Sequence, residues 1–210
     1  MAAPEMENIH VAVRIRPLSE VEVAAKVRTA WQLAQNGVLS FVQQDGSHSV
    51  ARFAYDAVFE GSASNGDVHA RVVAPMVAEA LLGKNATFFA YGQTGSGKTF
   101  TMDAMMDLTA DQIFSSIQAT PAREFLLKLS AVEVYNEAVH DLLRPPTEAH
   151  REALDLREDA RKKIIVKSLI EEDIPSAKHL RSVLRAVSRN REVRSCRLGG
   201  LNSGPSQGRR

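Results

Sequence analysis

Eight consecutive residues, Gly92, Gln93, Thr94, Gly95, Ser96, Gly97, Lys98 and Thr99, follow the spacing G-x-x-x-x-G-K-[S/T] without a departure. No other feature restricts the chain as much, because average residue usage would give this pattern in about one chain of this length in a hundred. Glycines at such spacing let successive backbone N–H groups turn inward and cradle phosphate oxygens at the start of a helix. In that arrangement Lys98 supplies a point charge to the β- and γ-phosphates of a nucleotide, and the Thr99 hydroxyl ligates Mg²⁺. The segment before it, Ala86 to Tyr91, is apolar and short, as expected of a buried strand feeding the loop. The pattern implies nucleotide binding and no reaction, since hydrolysis also needs a group that positions water and an acidic anchor for the metal. No catalytic residue is assigned from the sequence.

Composition bounds the setting of this loop. The chain has 210 residues, 44% hydrophobic and 24% charged, which suits a globular chain of one domain or slightly more and excludes collagen-like, coiled-coil and mostly disordered classes. Its longest apolar stretch, Ala86 to Tyr91, is far short of the roughly 20 residues needed to span a bilayer. The first residues lack the basic-then-apolar order of a signal peptide. Cys196 stands alone, so no intrachain disulfide can form and a reducing compartment is expected. The six histidines (His10, His48, His69, His140, His150 and His179) never approach zinc-ligand spacing. The net charge of +1 is unevenly spread: residues 1–150 carry 11 basic against 17 acidic side chains, and residues 151–210 carry 15 against 8. From His179 onward there are eight arginines and one acid, Glu192. Such an end could meet an acidic partner or form a solvated helix face with an unfolded tail, and composition favours the latter.

Periodicity sets out the remaining elements. Ile9, Val11, Val13 and Ile15 alternate with small or polar residues and predict a strand that Pro17 ends. Short strands are expected at Val38–Gln43 and Ala51–Phe59. Helical spacing runs from Val68 to Leu82, with Pro75 as a kink and Gly83 as the stop. A further helix is expected over Thr109–Ile117, a long strand through EFLLKLSAVEVYNE, a short turn at EAVHDLL, and a strand at KKIIVK. Ser176 opens a helix with Leu180, Val183, Leu184 and Val187 on one stripe. After Val193 the sequence RSCRLGGLNSGPSQGRR loses all periodicity and reads as disordered.

The segment FAYGQTGSGKTFTM, Phe89 to Met102, resembles the nucleotide loop of the kinesin motor domain. VAVRIRP, SAVEVYNEAVHDLL, LREDARKKIIVKSLIEE and NREV at Asn190 agree with the same family in order and rough spacing, so the resemblance covers Ile9 to Val193. It implies an α/β fold, the three-layer P-loop NTPase architecture around a central, mainly mixed sheet. It also implies ATP with Mg²⁺ as cofactors, the microtubule as partner, a cytoplasmic, cytoskeletal location and ATP-driven movement. No nucleic acid or membrane partner is expected. By the resemblance, Gly92 to Thr99 hold the phosphates, Arg14, Arg16 and Pro17 frame the base, and Phe100 lies near the adenine. Stacking on arginine planes and a fixed proline ring is physically reasonable for a purine. Glu133, Tyr135, Asn136, Glu137 and Asp141 are architectural in the family, and Arg161, Lys162 and Lys163 correspond to a loop near the acidic tubulin surface. The LREDARK and NREV text leans towards the centromere-associated type.

The chain also departs from the family's pattern. The switch sequences N-x-x-S-S-R-S-H and D-L-A-G-x-E are not found, and the text after Val193 is unlike the family. The expected organisation is therefore a disordered N-terminus over 1–8, a partial motor domain over 9–193 and a divergent basic tail over 194–210, as a frameshift or alternative exon would produce. Such a piece lacks central strands and would leave open apolar sheet edges. The alternative to a motor is a truncated isoform that binds nucleotide or a partner without catalysis. A generic P-loop kinase or GTPase is disfavoured by the absence of an N-K-x-D base motif.

Overall fold

In the computed structural model, residues 9–34, 37–42, 48–145 and 153–201 are described. The expected disordered segment 1–8, Gln43 of the expected strand and residues 202–210 of the expected tail lie outside them. The chain divides into two units, 1–113 and 114–210.

The first unit begins with β1 (Ala12–Arg14), which pairs in parallel with β5 (Ala57–Phe59). Ladder contacts continue at both ends, where Ile15 N–H donates to Phe59 C=O at 2.9 Å and Asp56 N–H donates to Val11 C=O at 3.1 Å. All three β5 residues are buried, as expected of a strand covered on both faces. Between these strands lie a short helix α1 (Glu20–Ala24) and an antiparallel meander of β2 (Trp31–Ala34), β3 (Val38–Val42) and β4 (His48–Ala54). Trp31 meets Phe41 and Phe53 edge-on, at centroid distances of 5.3 and 6.2 Å. The expected Ala51–Phe59 strand is thus two strands, because Tyr55 and Asp56 turn the chain from one sheet to another.

The predicted helix from Val68 starts earlier and has an internal irregularity. Ser64 caps it in a reciprocal box with Asp67, so α2 opens at Asn65 (Asn65–Val68). A π segment, His69–Val73, leads into α3 (Ala74–Leu81), and Pro75 sits in the first turn of α3, where its missing N–H costs least. Gly83 follows at φ +101°, a conformation that favours glycine. Val68, Val72 and Val73 pack with Ala57, Phe59 and Met105 into the core of this unit, with Phe88 and Leu108 at its margin. Met105 belongs to α4 (Lys98–Ala119), which begins at the end of the glycine-rich loop and includes the expected Thr109–Ile117 helix.

The sequence predicts a buried strand over Ala86–Tyr91, and the structure corrects this. The segment is not in a ladder, and Phe89 and Tyr91 are 78% and 97% exposed. An extended segment becomes a strand only when neighbouring backbone takes up its N–H and C=O groups. No described residue supplies that partner here.

In the second unit the long strand expected through Phe125 is likewise reduced, to β6 (Lys128–Leu129) and β7 (Val132–Tyr135). The expected turn at EAVHDLL is instead a strand, β8 (Ala138–Asp141), joined to β7 by a two-residue hairpin. Asn136 and Glu137 take φ of 48° and 63°, the paired positive values of a type I′ turn. Next come β9 (Leu156–Glu158), which pairs with β10 (Ile164–Val166), and β11 (Glu172–Asp173), which pairs with β6. The described strands therefore form five small sheets, one of three strands and four of two, rather than one central mixed sheet.

Ser176 Oγ accepts the His179 N–H at 3.1 Å and opens α5 (Ala177–Leu201). Its backbone runs eight residues past Val193, into the first part of the expected tail. Extending an existing helix fixes one residue per hydrogen bond, and arginine and leucine are good helix formers.

Candidate nucleotide-binding loop

The loop is built by three glycines and the helix behind it. Gly92, Gly95 and Gly97 have φ of 155°, 81° and 91°, values that side-chain-bearing residues rarely adopt. A Cβ on Gly92 would come within 2.7 Å of Ser96 Oγ, so the loop closes on itself at that point. Ser96 N–H donates to Gln93 C=O at 3.2 Å and fixes the turn. Around Gly95 and Gly97 a Cβ would meet nothing within 4 Å, so the loop is open on that side. Lys98 then begins α4, a 22-residue helix whose first N–H groups face the loop without intrahelical partners.

Lys98 Nζ donates to Gly92 C=O at 2.7 Å and to Gln93 C=O at 2.8 Å. These neutral acceptors would yield readily to a phosphate oxygen, which forms a charge-assisted bond with the same ammonium. Thr99 stands next to it, exposed, with its hydroxyl available. Mg²⁺ ordinarily keeps several waters and takes few protein ligands beside substrate phosphates, and one threonine hydroxyl suits that habit. Among the described residues no group of three His, Cys, Asp or Glu could hold a metal by itself. Open glycine backbone, a lysine held only by neutral carbonyls and a lone hydroxyl fit a magnesium-bound polyphosphate.

The expected base-framing residues divide between two places. Arg14 is brought to the loop side: its guanidinium donates to Asn65 Oδ1, to Thr101 Oγ1 at 3.1 Å and to Ala63 C=O at 3.0 Å, and lies 5.4 Å from the Phe100 ring centroid. It thus ties β1 to α2 and to the first turn of α4, while Phe100 is 64% exposed. Arg16 instead forks onto Glu22, at 2.6 and 2.7 Å, and donates to Pro17 C=O at 2.9 Å. That pairing, with help from Ser19, lowers the Glu22 carboxyl to about 2. Arg16 and Pro17 line a cleft of about 300 Å³ with Trp31, Glu60 and Gly61; its lining includes neither Phe100 nor the loop.

Asn65 and Thr101 escaped the sequence reading, whereas Asp141 was expected there as an architectural residue without its partners. Asn65 and Thr101 hold Arg14, and the Ser64-x-x-Asp67 capping signal could have placed Asn65 at a helix start. Asp141 is 2% exposed; its carboxylate accepts from Leu143 N–H at 2.9 Å and Ile170 N–H at 3.0 Å, and pairs with Arg144 at 3.4 Å. Asn190 of α5 donates to Leu142 C=O at 2.8 Å and to Arg144 C=O at 3.3 Å. The acidic segment expected to be architectural thus contains a buried carboxylate that joins its own turn to the backbone at Ile170, while Asn190 holds the neighbouring carbonyls. Arg161, Lys162 and Lys163 are exposed on the β9–β10 hairpin, where Asp159 Oδ1 accepts from Arg161 and Lys163 N–H at 2.8 Å each.

The family model of the kinesin motor domain matches residues 14–203 of this chain. The chain belongs to the kinesin family. The match continues ten residues past Val193, so the family's pattern reaches beyond the point where periodicity fades. Kinesin-like protein KIN-7A of Oryza sativa subsp. japonica is 38% identical over 199 residues, covering 94% of this chain and 20% of the relative. Kinesin-like protein NACK1 of Nicotiana tabacum is 35% identical over 200 residues, with the same coverage of both. Kinesin-like protein KIN-7A of Arabidopsis thaliana is 36% identical over 199 residues, again covering 94% and 20%. The chain spans about a fifth of the length of these relatives. As a family, kinesin motor domains are microtubule-motor ATPases.

Proposed function

We propose that this chain is the nucleotide-binding part of an ATP-driven, cytoplasmic microtubule motor. In this reading Gly92 to Thr99 hold the phosphates of ATP, Thr99 ligates Mg²⁺, and Phe100 with Arg14 borders the base. Arg16 acts through its pairing with Glu22, which fixes the course of the chain at Pro17. The observation that carries the reading is the loop: three positive-φ glycines and a lysine held by carbonyls, at the head of a long helix.

Bound Mg²⁺ would neutralise charge between the β- and γ-phosphates. The chain's own contribution is positioning. Backbone N–H groups at Gly95, Gly97 and Lys98 orient the phosphates, and Lys98 exchanges two carbonyl partners for phosphate oxygens. Arg14 transmits the position of the first α4 turn to β1 through Thr101. The Arg161–Lys163 hairpin is the proposed contact with the acidic microtubule surface.

Equilibrium binding of a fluorescent Mg·ATP analogue tests this reading. Saturable binding by the chain and a loss of about tenfold or more in Lys98→Ala are expected, since a charge-assisted hydrogen bond contributes about 1.5–3 kcal/mol. Equal binding by both, or none by either, would overturn the assignment of the loop.

A further inference from the structure

The cleft of about 300 Å³ beside Pro17 takes no part in holding nucleotide as proposed above. It forms where the chain leaving β1 and the chain leaving β5 meet the edge strand β2, all within the first unit. Pro17 and Gly61 close together there, and a Cβ on Gly61 would come within 3.1 Å of the Pro17 backbone. Trp31 supplies an indole to the lining, and its neighbours Phe41 and Phe53 continue an exposed apolar surface beyond it. Glu60 is exposed at the same cleft, and its carboxylate has no hydrogen-bond or ion-pair partner among the described residues. Arg16 also lines the cleft, but its fork onto Glu22 balances its charge. One uncompensated negative charge thus stands beside one large aromatic ring.

That combination selects among ligands. An anion would be repelled by Glu60, and a neutral apolar group would desolvate the carboxylate without pairing it. A metal ion would find a single carboxylate, and no group of three His, Cys, Asp or Glu among the described residues could hold one. An ammonium is a compact, strongly hydrated point charge. A guanidinium is weakly hydrated, stacks on aromatic rings and forks onto a carboxylate, so it can use both groups at once. We propose that the Trp31–Glu60 cleft binds an arginine side chain of a partner polypeptide. A free guanidine compound would meet the same two groups but leave the Phe41 and Phe53 rings bare, whereas residues flanking an arginine in a chain can cover them. The site is separate from the glycine-rich loop, and its test does not depend on nucleotide.

Trp31 is the only tryptophan of the chain, so its fluorescence reports on this cleft directly. Titration with an end-blocked tripeptide, one arginine between two leucines, is expected to give a saturable change in emission. The same tripeptide with citrulline, the uncharged isostere of arginine, should bind about threefold or more weakly. Glu60→Gln should lower affinity for the arginine peptide about three- to fivefold, as loss of one exposed ion pair would. It should also abolish the preference over citrulline, a coupling that a general loss of structure would not produce. Glu124→Gln removes an exposed carboxylate elsewhere and is expected to shift affinity less than about twofold. End-blocked arginine alone should bind about threefold or more weakly than the tripeptide, because it covers neither phenylalanine ring. Saturating Mg·ATP should leave the titration unchanged. No saturable change, equal binding of the citrulline peptide, or a preference that survives in Glu60→Gln would overturn the proposal. Equal affinity for arginine alone would overturn the polypeptide as its source, and displacement by Mg·ATP would overturn the separation from the nucleotide site.

Discussion

Asp141 and His69 show how single buried groups can matter more to this chain than its exposed ones. Removing the Asp141 carboxylate leaves the Leu143 and Ile170 N–H groups and the Arg144 guanidinium without their acceptor. Asp141→Ala is expected to lower unfolding free energy by about 3 kcal/mol in urea titrations, the usual consequence of breaking a buried charged pair. A loss below about 1 kcal/mol would mean that water replaces the carboxylate. His69 lies in the π segment, 9% exposed, and burial pushes its pKa below the ordinary 6.5. The folded chain therefore takes up this proton less readily than the unfolded chain. Its contribution to stability is complete above pH 6.5 and is lost as pH falls from there towards the lower folded value. The urea midpoint should drop between pH 7.5 and 5.5, and His69→Gln should flatten that part of the profile. The resemblance marked Asp141 as architectural but gave neither its burial nor its partners, and nothing in the sequence marked His69. Burial of Asp141 depends on contacts 29 residues away, and His69 is one of six histidines without distinguishing spacing. The role proposed for Lys98 could be read from the sequence because it follows from a local pattern.

At the level of elements, what could be read depended on whether an element's cause lies within its own residues. α5 opened where Ser176 predicted, and Ser64 with Asp67 marks the start of α2, because caps act over three residues. The β7–β8 hairpin was missed because Glu137 takes a positive φ that its side chain disfavours. The strand expected at Ala86–Tyr91 was a correct reading of apolar pattern, but pattern supplies no ladder partner. Native-state hydrogen exchange should distinguish these cases. Amides of Phe89, Ala90 and Tyr91 are expected to exchange faster by about a hundredfold or more than those of Val58 and Phe59, because no described backbone group accepts from them. Comparable protection in both segments would mean that the loop strand is paired in solution.

Across the whole molecule, the two units share one weakness, small sheets around thin apolar cores. Among the described residues no large side chain is completely withdrawn from solvent, while Phe89, Tyr91, Leu126 and Val134 stand largely exposed. Stability is the small difference between burial and chain entropy, so limited burial implies a shallow native state. Ligand that binds only the folded form adds stability by mass action, about 2.7 kcal/mol at a hundred times its dissociation constant. The most direct measurement is thermal unfolding of the chain and of Lys98→Ala, each with and without saturating Mg·ATP. A broad transition below about 45 °C is expected for both without nucleotide, with Mg·ATP raising the midpoint of the unaltered chain by several degrees and leaving Lys98→Ala nearly unmoved. A sharp reversible transition well above that temperature would contradict the account of a thin core, and an unmoved midpoint, or the same rise in both chains, would contradict the assignment of the loop to nucleotide.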